Sequence, residues 1–408
     1  MTSTHEIAIT GIGLLTAAGT DTGTTWQGVS DGVPTAGIDA SLGDVPVPLT
    51  CRVPDFDAVA LLGRDVWRMD RFSHLALAAA LEAVADARLD ATSWDGARVG
   101  VIVGVGADSK DTIVANTRKL IERKYATISP LAVPRSTANA AAAEICMALG
   151  AYGPSMAVTT ACASGATALG VAKDLLAANR CDIALAGGAE APCHPLTSLT
   201  FSQMGALSTR LHDPAGASRP FEADRDGFVL AEGAGILVLE RAADARARRA
   251  PAYAYLSGYG CSTDGYHYAA AHPEGIGIER ALDAALTDAG LHTSDIGHIN
   301  AHGTATPMND RIESATIRRY FHGGPPAVTS TKGVTGHTLG AAGAIEAALA
   351  ALTLRHQSIP PTANLDRLDP DIDLDVVAKT ARPSRIDAVA SNSFGFGGHN
   401  TVLILQRA

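Results

Sequence analysis

Short apolar runs that end in glycine or another small residue recur along the chain. They predict buried strands over residues 6–13, 98–106, 156–160, 182–188, 235–240, 252–259, 298–300, 327–330, 387–391 and 401–406. A run of this length with no polar alternation fits a strand covered on both faces. Between these runs the period changes to that of a helix. Residues 71–87 place Leu75, Leu77, Ala78, Leu81 and Val84 on one broad face, and 165–178, 277–289 and 341–354 behave alike. Strands alternating with helices predict an α/β architecture with parallel or mixed sheets. No low-complexity segment divides the chain. One seam follows Glu240, where a charged, Ala-rich helix over 241–249 leads to Pro251 and a new strand, giving lobes 1–250 and 251–408. No short-period repeat is visible, which excludes a solenoid; periodicity leaves open whether one lobe duplicates the other.

Composition narrows the class. The 408 residues are 47% hydrophobic and 18% charged, enough for a large core, and 41 glycines predict tight turns and close backbone contacts. The formal net charge is −10 with no basic stripe, which argues against nucleic acid. Two small basic clusters could meet an acidic partner: Arg118, Lys119, Arg123 and Lys124, or Arg64, Arg68 and Arg71. For each of these charges a solvated helix face is the plainer account. The chain opens directly into strand-like Ile7–Thr10 without a signal-peptide pattern, and it lacks an apolar stretch of about 18 residues, so we expect no membrane span. Cysteines 51, 146, 162, 181, 193 and 261 form no C-x-x-C pair, and we expect reduced thiols in a cytoplasmic protein.

One thiol differs from the others in its setting. Met156-Ala-Val-Thr-Thr-Ala-Cys162-Ala-Ser-Gly165 is an extended run entering a small-residue turn, followed by the helical pattern Ala166, Leu169, Gly170, Lys173, Leu176. Cys162 therefore sits at a strand-to-helix junction, where unpaired N–H groups and the helix dipole favour a thiolate. A buried small hydrophobe is the competing account. Two histidines also stand out. His302 lies in Asn300-Ala-His-Gly-Thr304-Ala-Thr306-Pro, and His337 lies in a glycine-rich loop opening a helix. Polar loops after strands are where a rigid scaffold carries function. A metal would need more ligands than nearby Asp310 and Glu313, so none is expected. Neither loop carries a phosphate-binding glycine pattern.

Thr160-Ala-Cys-Ala-Ser-Gly165, Ala301-His-Gly-Thr-Ala-Thr-Pro307, Lys332-Gly-Val-Thr-Gly-His-Thr-Leu-Gly-Ala-Ala-Gly343 and Asn392-Ser-Phe-Gly-Phe-Gly-Gly-His-Asn400 occur in that order. Together they resemble the signatures of the elongating β-ketoacyl-acyl carrier protein synthases. Gly187-Gly-Ala-Glu190, the stretch 218–229 and Ile9-Thr-Gly-Ile-Gly13 support the resemblance, which spans essentially the whole chain. It implies a thiolase-like five-layer αβαβα fold from two similar halves, dimeric through the N-terminal half. It also implies an acyltransferase: Cys162 accepts an acyl group, and His302 and His337 promote decarboxylation of a malonyl unit. The oxyanion hole would be the backbone N–H groups of Cys162 and Phe396. Thr304 and Thr306 would hold the phosphopantetheine arm of an acyl carrier protein, with no cofactor bound to the enzyme itself. Lys332 and Glu346 would form a buried ion pair, Asp310 and Glu313 would support the His302 loop, and Phe396 would be the aromatic gate.

Two departures bear on substrate. His399 stands where fatty-acid members usually have threonine. The stretch Gly104-Val-Gly106-Ala107-Asp108-Ser109 also differs, with Ala107 where those members often carry a larger apolar residue. If Ala107 lines the acyl pocket opposite Phe396, that pocket is longer or wider. The expectation is a type II polyketide ketosynthase building polyketide or unusual unsaturated (polyene) chains, as a homodimer or as a heterodimer with a chain-length factor. Housekeeping fatty-acid elongation is the alternative. A non-catalytic chain-length factor is the alternative from another class, and Cys162 with both histidines argues against it. A thiolase would need a second cysteine where Gly395–His399 stands, an initiating synthase an asparagine in place of one histidine, and a Cys-His hydrolase would leave the paired histidines unexplained.

Overall fold

The computed structural model describes residues 6–107 and 109–408; residues 1–5, and Asp108 of the departing 104–109 stretch, lie outside them. In chain order the framework is β1 (Ile7–Leu15), α1 (Arg71–Asp86), β2 (Val99–Gly104), α2 (Lys110–Ile121), α3 (Ala140–Leu149), β3 (Ser155–Val158), α4 (Ser164–Ala177), β4 (Ile183–Glu190), α5 (Pro195–Gln203) and β5 (Gly233–Arg241). The second lobe adds β6 (Ala254–Thr263), α6 (Ile276–Ala289), β7 (His298–Asn300), α7 (Pro307–Tyr320), β8 (Ala327–Thr329), α8 (Ala342–His356), β9 (Ala388–Gly395) and β10 (His399–Arg407).

These ten strands pair in the order β8-β7-β9-β10-β6-β1-β5-β4-β2-β3. The order is a palindrome of two equal halves. In the first, β1 and β4 flank β5 antiparallel, and β4 and β3 flank β2 parallel. In the second, β6 and β9 flank β10 antiparallel, and β9 and β8 flank β7 parallel. Internal duplication, silent in the sequence period, is thus explicit in the topology. The halves join through a short antiparallel ladder, Ile7↔Leu256, Ala8↔Tyr255 and Ile9↔Ala254.

Helices α1 and α3 cover the outer face of the first sheet and α6 and α7 that of the second, while α4 and α8 lie between the two sheets. This is the expected five-layer arrangement. A helix enclosed on both sides has no solvent face and needs small apolar residues all round. In α8 every residue from Ala342 to Leu354 is buried, which accounts for its alanine run. The close approach of α1 to β1 explains the early glycines: a Cβ on Gly13 would stand 1.9 Å from the Ala79 carbonyl oxygen.

The predicted strands and helices appear within a few residues of their expected bounds. Leu81 is a correction. It was placed on the core face of α1, but it is 36% exposed, whereas Leu75, Leu77, Ala78 and Val84 are buried. Three residues of the basic clusters are ion-paired: Arg71 with Glu232, Arg68 with Asp65 and Glu144, and Lys124 with Glu122. Among the described residues no helix is long and apolar enough to cross a membrane.

Candidate active site

The site forms at the ends of parallel strands β3, β7 and β8, where the chain leaves each sheet for a helix. Cys162 follows β3 in a single 3-10 turn, Ala161–Ala163, that feeds α4. Ala161 has φ +51°, a left-handed conformation disfavoured for alanine, and the turn is held by Ser164. The Ser164 hydroxyl donates to the Ala161 carbonyl at 2.6 Å and accepts from the Thr160 N–H at 2.9 Å. Thr167 links the turn to β10, its hydroxyl lying 2.9 Å from that of Thr160 and 3.0 Å from that of Thr401.

His302 follows β7. Its peptide is gripped from both sides: its N–H donates to Glu313 Oε1 at 2.9 Å, and its carbonyl accepts from Lys332 Nζ at 2.6 Å. Glu313 also accepts from the Gly303 N–H and from Asn392, while Asp310 accepts from the Ala305 and Phe221 N–H groups. The two acidic residues thus hold the His302 loop, as expected. His337 lies between β8 and α8, the place that Cys162 occupies between β3 and α4 in the other half. Gly336 before it has φ +66°, and a Cβ there would meet Cys51 Sγ at 2.7 Å, so only glycine fits.

The two imidazoles meet edge to face with ring centroids 5.4 Å apart. Phe394 packs on His302 at 5.6 Å, and Phe228 stands edge-on to His337 at 5.2 Å. Phe201 bridges Phe228 and Phe396, at 5.3 and 6.1 Å. In each histidine Nδ1 is enclosed without a hydrogen-bond partner among the described residues, which leaves Nε2 as the nitrogen able to meet a substrate. Burial, and then the charge of Lys332, hold both rings well below the ordinary histidine range, so both are neutral at physiological pH. Lys332 and Glu346 meet as an ion pair, both about fully buried. Burial pushes the Glu346 carboxyl up to about 7 even beside that charge.

The thiol runs against the direction that its helix terminus suggests. Burial pushes Cys162 up to about 12, with Lys332 pulling the other way. Burial disfavours a resting thiolate more than the helix terminus favours it.

Two cavities meet at this sulfur. One, of about 300 Å³, is lined by Cys162, Leu339, Ala107, Glu190, Leu196, Lys110 and Arg71. The other, of about 530 Å³, contains His302, His337, Thr304, Thr306 and Asn400 and opens to solvent. Cys162, Phe201, Leu339 and Phe396 line both. Phe396 thus stands at the junction, and Ala107 lies in the wall of the inner cavity. The Thr304 and Thr306 hydroxyls lie 2.9 Å apart in the outer one. Gly395 abuts the nucleophile turn; a Cβ there would sit 3.0 Å from the Cys162 N. That contact places the start of the Phe396 loop against the backbone of Cys162. Among the described residues no group of three or more His, Cys, Asp or Glu is arranged to hold a metal.

Sequence reasoning missed Glu190, Phe201 and Phe228 as parts of the site. Glu190 is buried, accepts from the Gly106 and Gly340 N–H groups at 2.6 and 3.3 Å, and is pushed up to about 8 by burial. Its position in Gly187-Gly-Ala-Glu190 at a strand end was a signal, but nothing local announced that it would join the two halves.

Comparison with known proteins gives a consistent answer. The chain matches the family models "Beta-ketoacyl synthase, N-terminal domain" over residues 4–245 and "Beta-ketoacyl synthase, C-terminal domain" over residues 253–366. It is 40% identical to a 3-oxoacyl-[acyl-carrier-protein] synthase 2 of Synechocystis sp., covering 98% of both chains. Among solved structures it resembles a β-ketoacyl synthase from Burkholderia phymatum (TM-score 0.93, 32% identity, 99% of each chain). It also resembles the ishigamide ketosynthase/chain length factor (TM-score 0.91, 35% identity, 99% of each chain).

Proposed function

The chain belongs to the β-ketoacyl synthase family and is an acyltransferase of its condensing class; from that premise we propose that it is the ketosynthase subunit of a type II polyketide synthase. We divide it at 250/251 into a nucleophile-bearing half and a half bearing both histidines. Its substrates arrive on the phosphopantetheine of an acyl carrier protein, and the enzyme works in the cytoplasm.

In the reaction, Cys162 Sγ attacks the thioester carbonyl of an acyl-carrier, and its proton leaves with the released pantetheine thiol. The acyl chain enters the inner cavity past Phe396. A malonyl thioester then occupies the outer cavity, its arm along Thr304 and Thr306. Its C–CO₂ bond breaks, carbon dioxide departs, and the electron pair becomes an enolate whose oxygen accepts from the neutral imidazoles of His302 and His337. The enolate carbon attacks the Cys162 thioester. The oxyanion that forms accepts from the backbone N–H groups of Cys162 and Phe396, and its collapse expels the Cys162 thiolate. Lys332, with Glu346, holds His302 in place.

One observation carries the polyketide assignment: Ala107 offers only a methyl group to the wall of the inner cavity, which Lys110 and Arg71 also line. The likeness to the ishigamide ketosynthase/chain length factor supports it. Fatty-acid elongation is the second reading, favoured by 40% identity to a synthase 2. The two separate on purification and product mass. Co-purification with a homologue lacking the cysteine, and release of polyketide or polyene acyl-carriers, is the expected result. An active homodimer that elongates ordinary saturated acyl-carriers assigns the second reading instead.

A further inference from the structure

The segment between α5 and β5 belongs to the first half, yet it is bonded to both histidine loops of the second. Its Ser218 hydroxyl donates to the Lys332 carbonyl at 2.6 Å, and its Val229 carbonyl accepts from the His337 N–H at 2.8 Å. Between these two contacts lies Arg225, a buried guanidinium that no step of the reaction uses. Its Nη1 donates to Asp369 Oδ2 at 2.6 Å and to the Glu222 carbonyl at 2.8 Å. Its Nη2 donates to the Pro307 carbonyl at 3.4 Å, and its Nε stands 3.3 Å from Asp310 Oδ2.

Asp310 passes this hold on. Its Oδ1 accepts from the Ala305 N–H at 3.2 Å, and its Oδ2 from the Phe221 N–H at 2.9 Å. Ala305 has φ +68°, a left-handed conformation that an alanine keeps only where its surroundings fix it. It separates Thr304 from Thr306, both of which line the outer cavity. The guanidinium thus grips this turn twice, at its centre through Asp310 and just past its end at the Pro307 carbonyl. The His302 and Gly303 N–H groups use a different carboxylate, Glu313.

We propose that Arg225 is the positioning residue for the arm-binding turn, fixing Thr304 and Thr306 through Asp310 and the Pro307 carbonyl. The inference rests on the reading of the outer cavity as the passage for a phosphopantetheine arm. A planar fork serves two carboxylates and two carbonyls at set angles, which the point charge of a lysine does not reproduce. Because the turn and His302 depend on separate carboxylates, losing the fork loosens the arm while the histidine stays in place. Binding that is equal in the ground and transition states shows in KM rather than in the maximal rate.

The test compares octanoyl-pantetheine with ethyl octanethioate, which carries the same acyl group and no arm, as donors to Cys162 of the full-length enzyme. Acylation is followed by intact mass. Arg225→Lys should raise KM for octanoyl-pantetheine roughly tenfold and hold the maximal rate within about twofold. Its second-order rate constant with ethyl octanethioate should stay within about twofold of the unsubstituted enzyme. In a Thr304→Val/Thr306→Val background the same substitution should raise KM no further, because the hydroxyls it positions are gone. Arg225→Gln, a shorter and neutral donor, gives the same readings should the lysine variant fail to fold. A KM indifferent to Arg225 overturns the proposal, as do equal losses with both donors or a further loss in the valine background. The last two would make Arg225 a support of the fold at large. If the unsubstituted enzyme reacts no better with octanoyl-pantetheine than with ethyl octanethioate, the arm reading itself falls, and the proposal with it.

Discussion

Lys332 donates from Nζ to the backbone carbonyl of His302 at 2.6 Å while ion-paired with Glu346, so one buried cation serves both the loop and the pair. Removing it frees the His302 peptide on one side and strands a carboxylate in the core. Lys332→Ala should cost about 3–5 kcal/mol in denaturant unfolding, the range for breaking a buried pair on one side. Malonyl decarboxylation should fall at least about a hundredfold, because a displaced donor no longer meets the enolate oxygen. Glu346→Gln should be milder on both counts, since burial already pushes that carboxyl up to about 7. Equal damage from the two substitutions would contradict this division of labour.

In the proposed mechanism the two half-reactions fall in the two cavities, so substitution should separate them. Cys162→Gln removes the acyl acceptor but leaves both histidines in the outer cavity, so condensation should vanish while carbon dioxide release from malonyl-carrier stays measurable. His337→Ala should do the reverse, costing decarboxylation about a hundredfold or more and acyl transfer to Cys162 far less. Single-turnover acylation and decarboxylation assays read the two steps independently. Condensation by the glutamine variant would end the assignment of the nucleophile.

Ser164 holds the strained turn below the sulfur, bridging Thr160 and Ala161 from a fully buried position. Ser164→Ala leaves the half-buried Thr160 N–H without its partner, while the Ala161 carbonyl keeps the Ser164 backbone N–H, at a cost of about 1 kcal/mol in unfolding free energy. The turn then has less reason to hold Ala161 at φ +51°. Acylation of Cys162 should slow about tenfold, and decarboxylation, which depends on the other half, should slow less. Equal slowing of both steps would mean that Ser164 supports the fold generally rather than the nucleophile.

Glu190 gives a pH signature with a defined sign. Burial raises its carboxyl from an ordinary 4.5 to about 8 in the folded protein, so the folded state keeps a proton that the unfolded chain releases. The stability this contributes is complete below about pH 4.5 and is lost as pH rises through about 8. Glu190→Gln keeps the acceptor oxygen for Gly106 and Gly340 but cannot ionise. Its melting temperature should therefore fall less than that of the native protein between pH 5 and pH 8, by roughly 2 °C or more. Parallel melting curves across that range would show that the Glu190 carboxyl ionises as readily in the folded protein as in the unfolded chain.

The residues that the structure brings together were more legible in the sequence than the order of the strands. Cys162, His302 and His337 were readable because each sits in a small-residue loop between a strand and a helix, a setting with a local signature. The palindromic strand order was not, because β7 and β8 are only three residues long and pairing is decided by partners distant in sequence. Helix α7 was hidden by its polarity. Asp310 and Glu313 carry no local sign of burial, and only the family resemblance assigned them to the His302 loop, although proline at its first turn was a usable start signal. The direction of the Cys162 shift was hidden for the same kind of reason: a helix terminus is visible in the sequence, and the depth of the pocket above it is not. Leu81 fell on the wrong face because the apolar arc of α1 is narrower than its residues suggest, being set by Ala79 and Ala83 against the glycines of β1.

Ala107 is where chain length should be set, and its test bears on function most directly. It lies in the wall of the cavity that begins at Cys162, on the loop leaving β2, the counterpart in the first half of the His302 loop in the second. A benzyl side chain there would fill space that an acyl chain must otherwise enter, and it would do so without removing a hydrogen bond, since the loop is held through the Gly106 N–H and Glu190. Each methylene that no longer fits costs about 1–3 kcal/mol in discrimination. Ala107→Phe should therefore lower kcat/KM for long acyl donors at least about tenfold relative to a four-carbon donor, and shift carrier-bound products to shorter chains in intact-mass spectra. Decarboxylation of malonyl-carrier should be unaffected, because the histidines lie in the other cavity. If product length stays the same, the growing chain does not pass Ala107, and the cavity beyond it has no part in the reaction.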